Sequence, residues 1–191
     1  MDTSTAYPAD QSPRIDARYS GGAIIFHWLI AALIAVNFAA AWYAESLPRA
    51  ERMQVMTNHK AIGLTILLLS LARLAWRLTH RPPPLDPALK PWEMALARTV
   101  HTLFYVLMIG LPIGGWLAHS YYSGGAPINA FGVFSYPRLP VLRNPAIGET
   151  MGGLHGTFAW VLLVLAAIHV AGALKHQFID RQREIQRMLP G

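Results

Sequence analysis

Four long apolar stretches, separated by polar segments, organise this 191-residue chain. The first, Gly21 to Ala44, contains no Asp, Glu, Lys or Arg. The second begins near His59 and runs to about Trp76, with Arg73 and Arg77 at its end. The third covers roughly Thr99 to Ala118 and the fourth roughly Met151 to Leu174. Helices of about 20 apolar residues span a hydrocarbon core about 30 Å thick. Arginines in a last turn reach the headgroups by snorkelling. Trp28, Trp42, Tyr43, Trp76, Trp116 and Tyr121 fall near span ends, as an interfacial aromatic belt requires. The expected fold is all-α, an integral membrane four-helix bundle.

The polar segments refine this picture. Residues 1–19 read as a loosely attached tail, 20–180 as the transmembrane unit and 181–191 as a second tail. Ala39–Ala41 resembles a signal-peptide cleavage site, but the first run is long enough to span, and cleavage would discard His27. Lys90-Pro91-Trp92-Glu93 is a helix entrance, with proline in the first turn and an acid at the positive end of the helix dipole. Pro112 with Gly114 and Gly115 is expected to bend the third span. The longest connection, Ser120–Thr150, is rich in Gly, Pro and aromatics and is expected to fold over the mouth of the bundle.

Charge sets the orientation. Only 14% of residues are charged, against about a quarter in soluble domains. Of the 16 Lys and Arg residues, eleven lie in the first tail, around the connection of spans two and three, or after span four. Five lie in the other two connections: Arg49, Arg52, Lys60, Arg138 and Arg143. Both termini are therefore expected on the cytoplasmic side of the membrane. The net charge of +6 is explained by this bias, and no nucleic-acid partner is expected.

The chemistry rests on histidine. With no cysteine in the chain, iron–sulfur clusters, disulfides and covalently attached haem are excluded. Ionisable side chains within spans are costly and mark function by default. His155 and His169 are fourteen residues apart, which leaves them about 40° apart around the helix and about 21 Å apart along it. That separation rules out one shared metal ion and suits two stacked macrocycles. His27 matches His169 in depth near the cytoplasmic side, and His59 matches His155 near the outer side. The expected site is two b-type haems, with axial pairs His27–His169 and His59–His155. Gly63, Gly152, Gly153, Gly156 and Gly172 beside these positions allow a flat ring to approach, although they also suit ordinary helix packing. His101 has no depth-matched partner and is read as a hydrogen-bonding or haem-contact residue. His119 is read as interfacial and His80 as solvated. His176 is either a contact for a quinone headgroup or a solvated neighbour of Lys175.

Phe26-His27-Trp28, Asn58-His59-Lys60-Ala61-Ile62-Gly63, Leu154-His155 with His169, and the closing run Ala173-Leu174-Lys175-His176-Gln177-Phe178-Ile179-Asp180-Arg181 resemble the bacterial cytochrome b561 family over about residues 19–190. The closing run points to small stand-alone members, although many of these have Lys-His-His where this chain has Lys-His-Gln. The resemblance implies His27, His59, His155 and His169 as ligands of two haem b groups and electron transfer between the membrane faces. It further implies a superoxide oxidase, taking electrons from periplasmic superoxide and reducing ubiquinone. The five outer cations could steer superoxide, or they could be ordinary loop charges, some paired with Glu45, Glu51 or Glu149, and Lys60 with a haem propionate. Two other readings stand beside this one: a b-type subunit passing electrons between a partner dehydrogenase and quinone, and a membrane protein whose histidines are not ligands. Whether the chain is a monomer or a homodimer is open at this level.

Overall fold

A computed structural model describes residues 18–85, 89–124, 126–182 and 184–189. The element order is α1 (Gly21–Glu45), α2 (Arg49–Thr79), α3 (Pro91–Ser123), β1 (Ile128–Ala130), β2 (Phe134–Tyr136) and α4 (Pro145–Leu174). A π-helical turn, Lys175–Ile179, continues α4, and a 3-10 turn, Gln186–Met188, follows. All four long helices have the length and apolar composition to cross a membrane. The tail residues 1–17 lie outside the described residues. Arg18 and Tyr19, assigned above to that tail, are tied down: Arg18 Nη2 donates to the Leu189 carbonyl at 2.5 Å, and Tyr19 N–H to the Arg187 carbonyl at 3.2 Å.

The helices start earlier than hydropathy alone places them. Arg49–Asn58 is polar yet helical, so α2 begins ten residues before His59. At α3 the expected entrance is present: Pro91 opens the helix, and Glu93 Oε2 accepts from the Lys90 N–H at 3.0 Å. The helix then runs on through Pro112 to Gly124, whose left-handed φ of 63° ends it. Asn144 caps α4, its Oδ1 accepting from the Ile147 N–H at 3.2 Å.

In the bundle α1 packs on α2, α2 on α3 and α3 on α4. Between α1 and α4 the contact runs through side chains: Ile34 and Phe38 of α1 join Leu162 and Leu165 of α4 with Val100, Leu107, Phe104 and Leu111 of α3. Beside this plug Ile30, Ile66 and Met108 form a second cluster. Leu29, Val36, Leu68, Val106, Val164 and Ile168 remain exposed, as lipid-facing residues are.

Both described ends of the chain meet on one face, hereafter the terminal face. The far face carries the 124–144 connection. Its expected fold over the bundle is a β-hairpin, with Ile128 paired to Tyr136 and Ala130 to Phe134. Ile128 buries itself against Leu64 and Leu67 of α2. Trp116 Nε1 donates to the Pro137 carbonyl at 2.9 Å, and the buried Ser120 hydroxyl accepts from the Leu139 N–H at 3.0 Å.

Gly22 of α1 packs directly under the Trp76 ring of α2 near the terminal face. A Cβ there would lie 2.5 Å from Trp76 ring carbons, and Trp76 is fixed by its Nε1 donating to Ser20 Oγ at 2.9 Å. Gly22→Ala is expected to cost about 1–3 kcal/mol through this overpacking. A drop in the thermal midpoint of the purified protein, restored by combining it with Trp76→Leu, checks this.

Candidate functional site

The structure brings the span histidines together in two groups at different depths. On the far side, His59 of α2 and His155 of α4 have ring centroids 6.1 Å apart at 85°. Each lies ten residues inside its helix, counting from Arg49 and from Pro145. On the terminal side, His27 of α1 and His169 of α4 have centroids 6.2 Å apart at 69°. Two imidazoles binding one metal ion from opposite sides, each through a nitrogen about 2 Å away, place their centroids about 6 Å apart. Both pairs meet that spacing.

The second nitrogen of each far-side ring is already committed. His59 Nδ1 lies 3.2 Å from the Asn37 carbonyl and His155 Nδ1 lies 2.9 Å from the Leu111 carbonyl. A carbonyl partner makes Nδ1 the protonated nitrogen, which leaves the Nε2 lone pair of both rings available to iron.

A cavity of about 500 Å³ surrounds this pair, in the range of cofactor sites. Asn37, Trp42, Lys60, His119 and Trp160 contribute to its walls. Gly152 and Gly156 lie in its wall, and a Cβ on either would meet nothing within 4 Å. Asn37 Oδ1 is buried there without a hydrogen-bond partner among the described residues. Lys60 Nζ lies 3.3 Å from His119 Nδ1, and His119 Nε2 donates to the Ala126 carbonyl at 3.1 Å. His119, read above as a bland interfacial residue, is thus part of the wall and holds a cation at it. Open space, two histidine rings 6.1 Å apart and a cation at the wall fit a haem with its carboxylates.

The terminal-side group contains a residue that sequence reasoning left without a partner. The His101 ring lies 5.7 Å from that of His169 at 66°, so His169 faces two histidines. Phe104 packs edge-on against the same ring at 5.3 Å. His80, expected to be solvated, is exposed and stacks on Trp76 at 3.9 Å and 3°.

Below this group the π-helical turn gathers four polar side chains. Lys175 Nζ donates to Glu93 Oε1 and to Asp180 Oδ2, each at 2.7 Å, and His176 Nδ1 lies 2.7 Å from the same Asp180 oxygen. The wider π turn lets consecutive residues 175 and 176 both reach Asp180. Glu93, His176 and Asp180 are close enough to share a metal ion, but the Lys175 ammonium already occupies both carboxylates. The hydrogen bond from Lys175 holds the Asp180 carboxyl below the usual aspartate range, against a smaller opposing effect of burial, and His176 adds to the lowering. The folded value is depressed, so this stabilisation is complete above the ordinary aspartate pKa and is lost as pH falls through the folded value. The protection factor of the Asp180 amide, which donates to the Lys175 carbonyl at 3.1 Å, is expected to fall on acidification through that window. In Asp180→Asn the protection factor should no longer change with pH there.

None of the five far-face cations singled out above is ion-paired with a carboxylate among the described residues. Arg138 instead donates to the Val141 carbonyl at 2.8 Å and Arg143 to the Tyr122 carbonyl at 3.4 Å.

Comparison with known proteins places this arrangement. Over 174 residues, covering 90% of this chain and 91% of the relative, the chain is 32% identical to cytochrome b561 homolog 2 of Escherichia coli. It is 28% identical over 175 residues to the probable superoxide oxidase CybB of Yersinia pestis, covering 91% and 96% of the two chains. Cytochrome b561 homolog 1 of Escherichia coli is 25% identical over 175 residues, covering 91% and 97%. The family pattern described as prokaryotic cytochrome b561 matches residues 18–191. This family implies b-type haem and transmembrane electron transfer. With four spans, paired intramembrane histidines and a match along nearly its whole length, the chain belongs to the prokaryotic cytochrome b561 family.

Proposed function

We propose that the chain is a superoxide:ubiquinone oxidoreductase in which His27–His169 and His59–His155 hold two haem b groups. The observation that carries the ligand assignment is the spacing of the two ring pairs, 6.2 and 6.1 Å. When bound, the haems supply a one-electron path through a bundle whose own side chains have none. The lysine and arginine bias supports a cytoplasmic terminal face and a periplasmic far face.

At the far face the protein's task is to attract a small anion. Arg49 and Arg52 are exposed, and with Arg138, Arg143 and Lys60 they leave that mouth positive without carboxylate partners among the described residues. Such a field raises the encounter rate of superoxide. Each superoxide gives up one electron and leaves as dioxygen. Two electrons and two protons convert ubiquinone to ubiquinol. Lys60, held by His119 at the cavity wall, would offer its ammonium to a haem carboxylate there.

At the terminal face His176 meets the quinone. Its Nδ1–H donates to Asp180, so the ring turns Nε2 to the quinone, where it donates to a carbonyl when a proton from the cytoplasm has been added to it. The name of the Yersinia pestis relative supports superoxide as donor. The test is stopped-flow mixing of the purified, haem-loaded protein with superoxide. Growth of the reduced b-haem bands, followed by reoxidation on adding ubiquinone, is the expected result. Haems that stay oxidised would remove the enzyme reading and leave the electron-transfer subunit, fed by a partner dehydrogenase.

A further inference from the structure

A second basic site lies on the terminal face, apart from the π-turn cluster. It is a small pocket between the start of α1, the end of α2 and α3, lined by Tyr19, Arg73, Arg77, His80, Arg81 and Tyr105, among others. Arg73 lies six residues inside the end of α2, about 9 Å from it. It does not extend into lipid. It turns toward α3, its guanidinium 5.7 Å from the centre of the Tyr105 ring, and the Arg77 guanidinium lies 5.9 Å from the same centre. The two cations are therefore neighbours across one ring.

No carboxylate is among the lining residues, and none of Arg73, Arg77 and Arg81 is ion-paired among the described residues. A half-buried guanidinium beside another one, at membrane depth and without a counter-ion among the described residues, is an unbalanced arrangement. The ring faces compensate only part of it, at roughly 0.5–2 kcal/mol per contact. The pocket is rigidly walled. His80 stacks on Trp76, Trp76 is tied to Ser20, and Tyr19 is held by the Arg187 carbonyl. Burial pushes the Tyr19 phenol above its ordinary range, so its hydroxyl keeps its proton and remains a donor.

We propose that this pocket binds an oxyanion, gripped by the forked guanidiniums of Arg73, Arg77 and Arg81. Guanidinium forks match carboxylate and phosphate oxygens in pairs, which a point charge does not. Two sources offer that chemistry at this depth: the phosphate of an anionic lipid headgroup, and a carboxylate of the haem on the His27–His169 side. The inference is independent of the electron donor.

The test uses haem-loaded protein in nanodiscs of phosphatidylcholine, with and without phosphatidylglycerol, and the variants Arg77→Gln and Arg77→Lys. If lipid phosphate is the ligand, phosphatidylglycerol raises the thermal midpoint of the unsubstituted protein. Arg77→Gln then removes most of that rise and Arg77→Lys keeps part of it. If the haem carboxylate is the ligand, the midpoint does not depend on lipid. Instead Arg77→Gln lowers the reduction potential of the terminal-side haem and leaves the far-side one unchanged, because a positive charge that favours the reduced form has gone. Arg81→Gln, outside the helices, serves as the second variant should Arg77→Gln not fold. Absence of both the lipid-dependent rise and the selective potential change overturns the proposal.

Discussion

His155→Gly is expected to remove the far-side haem and halve the cofactor content, from two haems per chain to about one. The remaining ligand, His59, keeps its Asn37 hydrogen bond but faces a space where the opposing ring stood 6.1 Å away. One histidine does not give the six-coordinate, low-spin signature of a bis-histidine haem. Pyridine haemochrome quantification measures the stoichiometry, and electron paramagnetic resonance measures the spin state. Added imidazole should restore both, because the void left by the substitution is the size of the missing ring and the Leu111 carbonyl still awaits its donor. Two haems in the variant without imidazole would sink the assignment. The terminal-side pair should respond differently. In His27→Ala a second histidine, His101, still lies 5.7 Å from His169, so part of the low-spin signal should persist and disappear in His27→Ala/His101→Ala.

Gly115→Leu should give the same loss without removing any ligand. Gly115 on α3 lies in the wall of the far-side cavity, and a Cβ there would lie 3.1 Å from both Cε1 and Nδ1 of His155. Alanine presses on the ring. Leucine also pushes it away from the Leu111 carbonyl, breaking the bond that presents Nε2. The expected content is again about one haem per chain, with Gly115→Ala in between. Added imidazole should not rescue Gly115→Leu, since the cavity is filled, and this separates it from His155→Gly. The pair of results distinguishes a site that needs two nitrogens from one that needs only apolar space.

Much of this was legible in the sequence, and what was not has identifiable causes. Hydropathy finds lipid-facing length, so it found all four spans but began α2 at His59 and α3 near Thr99. The helical stretches Arg49–Asn58 and Pro91–Arg98 are too polar to register as membrane, although hydrogen bonding continues through them. That offset hid His101. Counted from Thr99 it sits at the surface; counted from Pro91 it is ten residues deep. His169 lies the same number of residues before Ile179, where the π turn ends. The two histidine pairs were readable because fourteen residues on one helix fix both direction and depth. The strands Ile128–Ala130 and Phe134–Tyr136 were not, since three residues show no period. Nor does a sequence show that Lys175 bridges Glu93 and Asp180, a contact across 82 positions.

The strap across the terminal face has a consequence for assembly. Trp28 Nε1 donates to the Met188 carbonyl at 2.7 Å, and Arg187 Nη2 donates to the Pro84 carbonyl at 2.6 Å. These bonds join positions 160 and 103 residues apart. Contacts so distant in sequence form late, because the intervening chain must first be ordered. Between Tyr19 and Arg187, whose bond completes the strap, that chain includes all four long helices, so the strap can close fully only on a bundle whose four segments have all inserted with the correct topology. Its amide protection would then serve as a marker of completed biogenesis. A misthreaded chain, however helical, would leave the Tyr19 amide open to exchange.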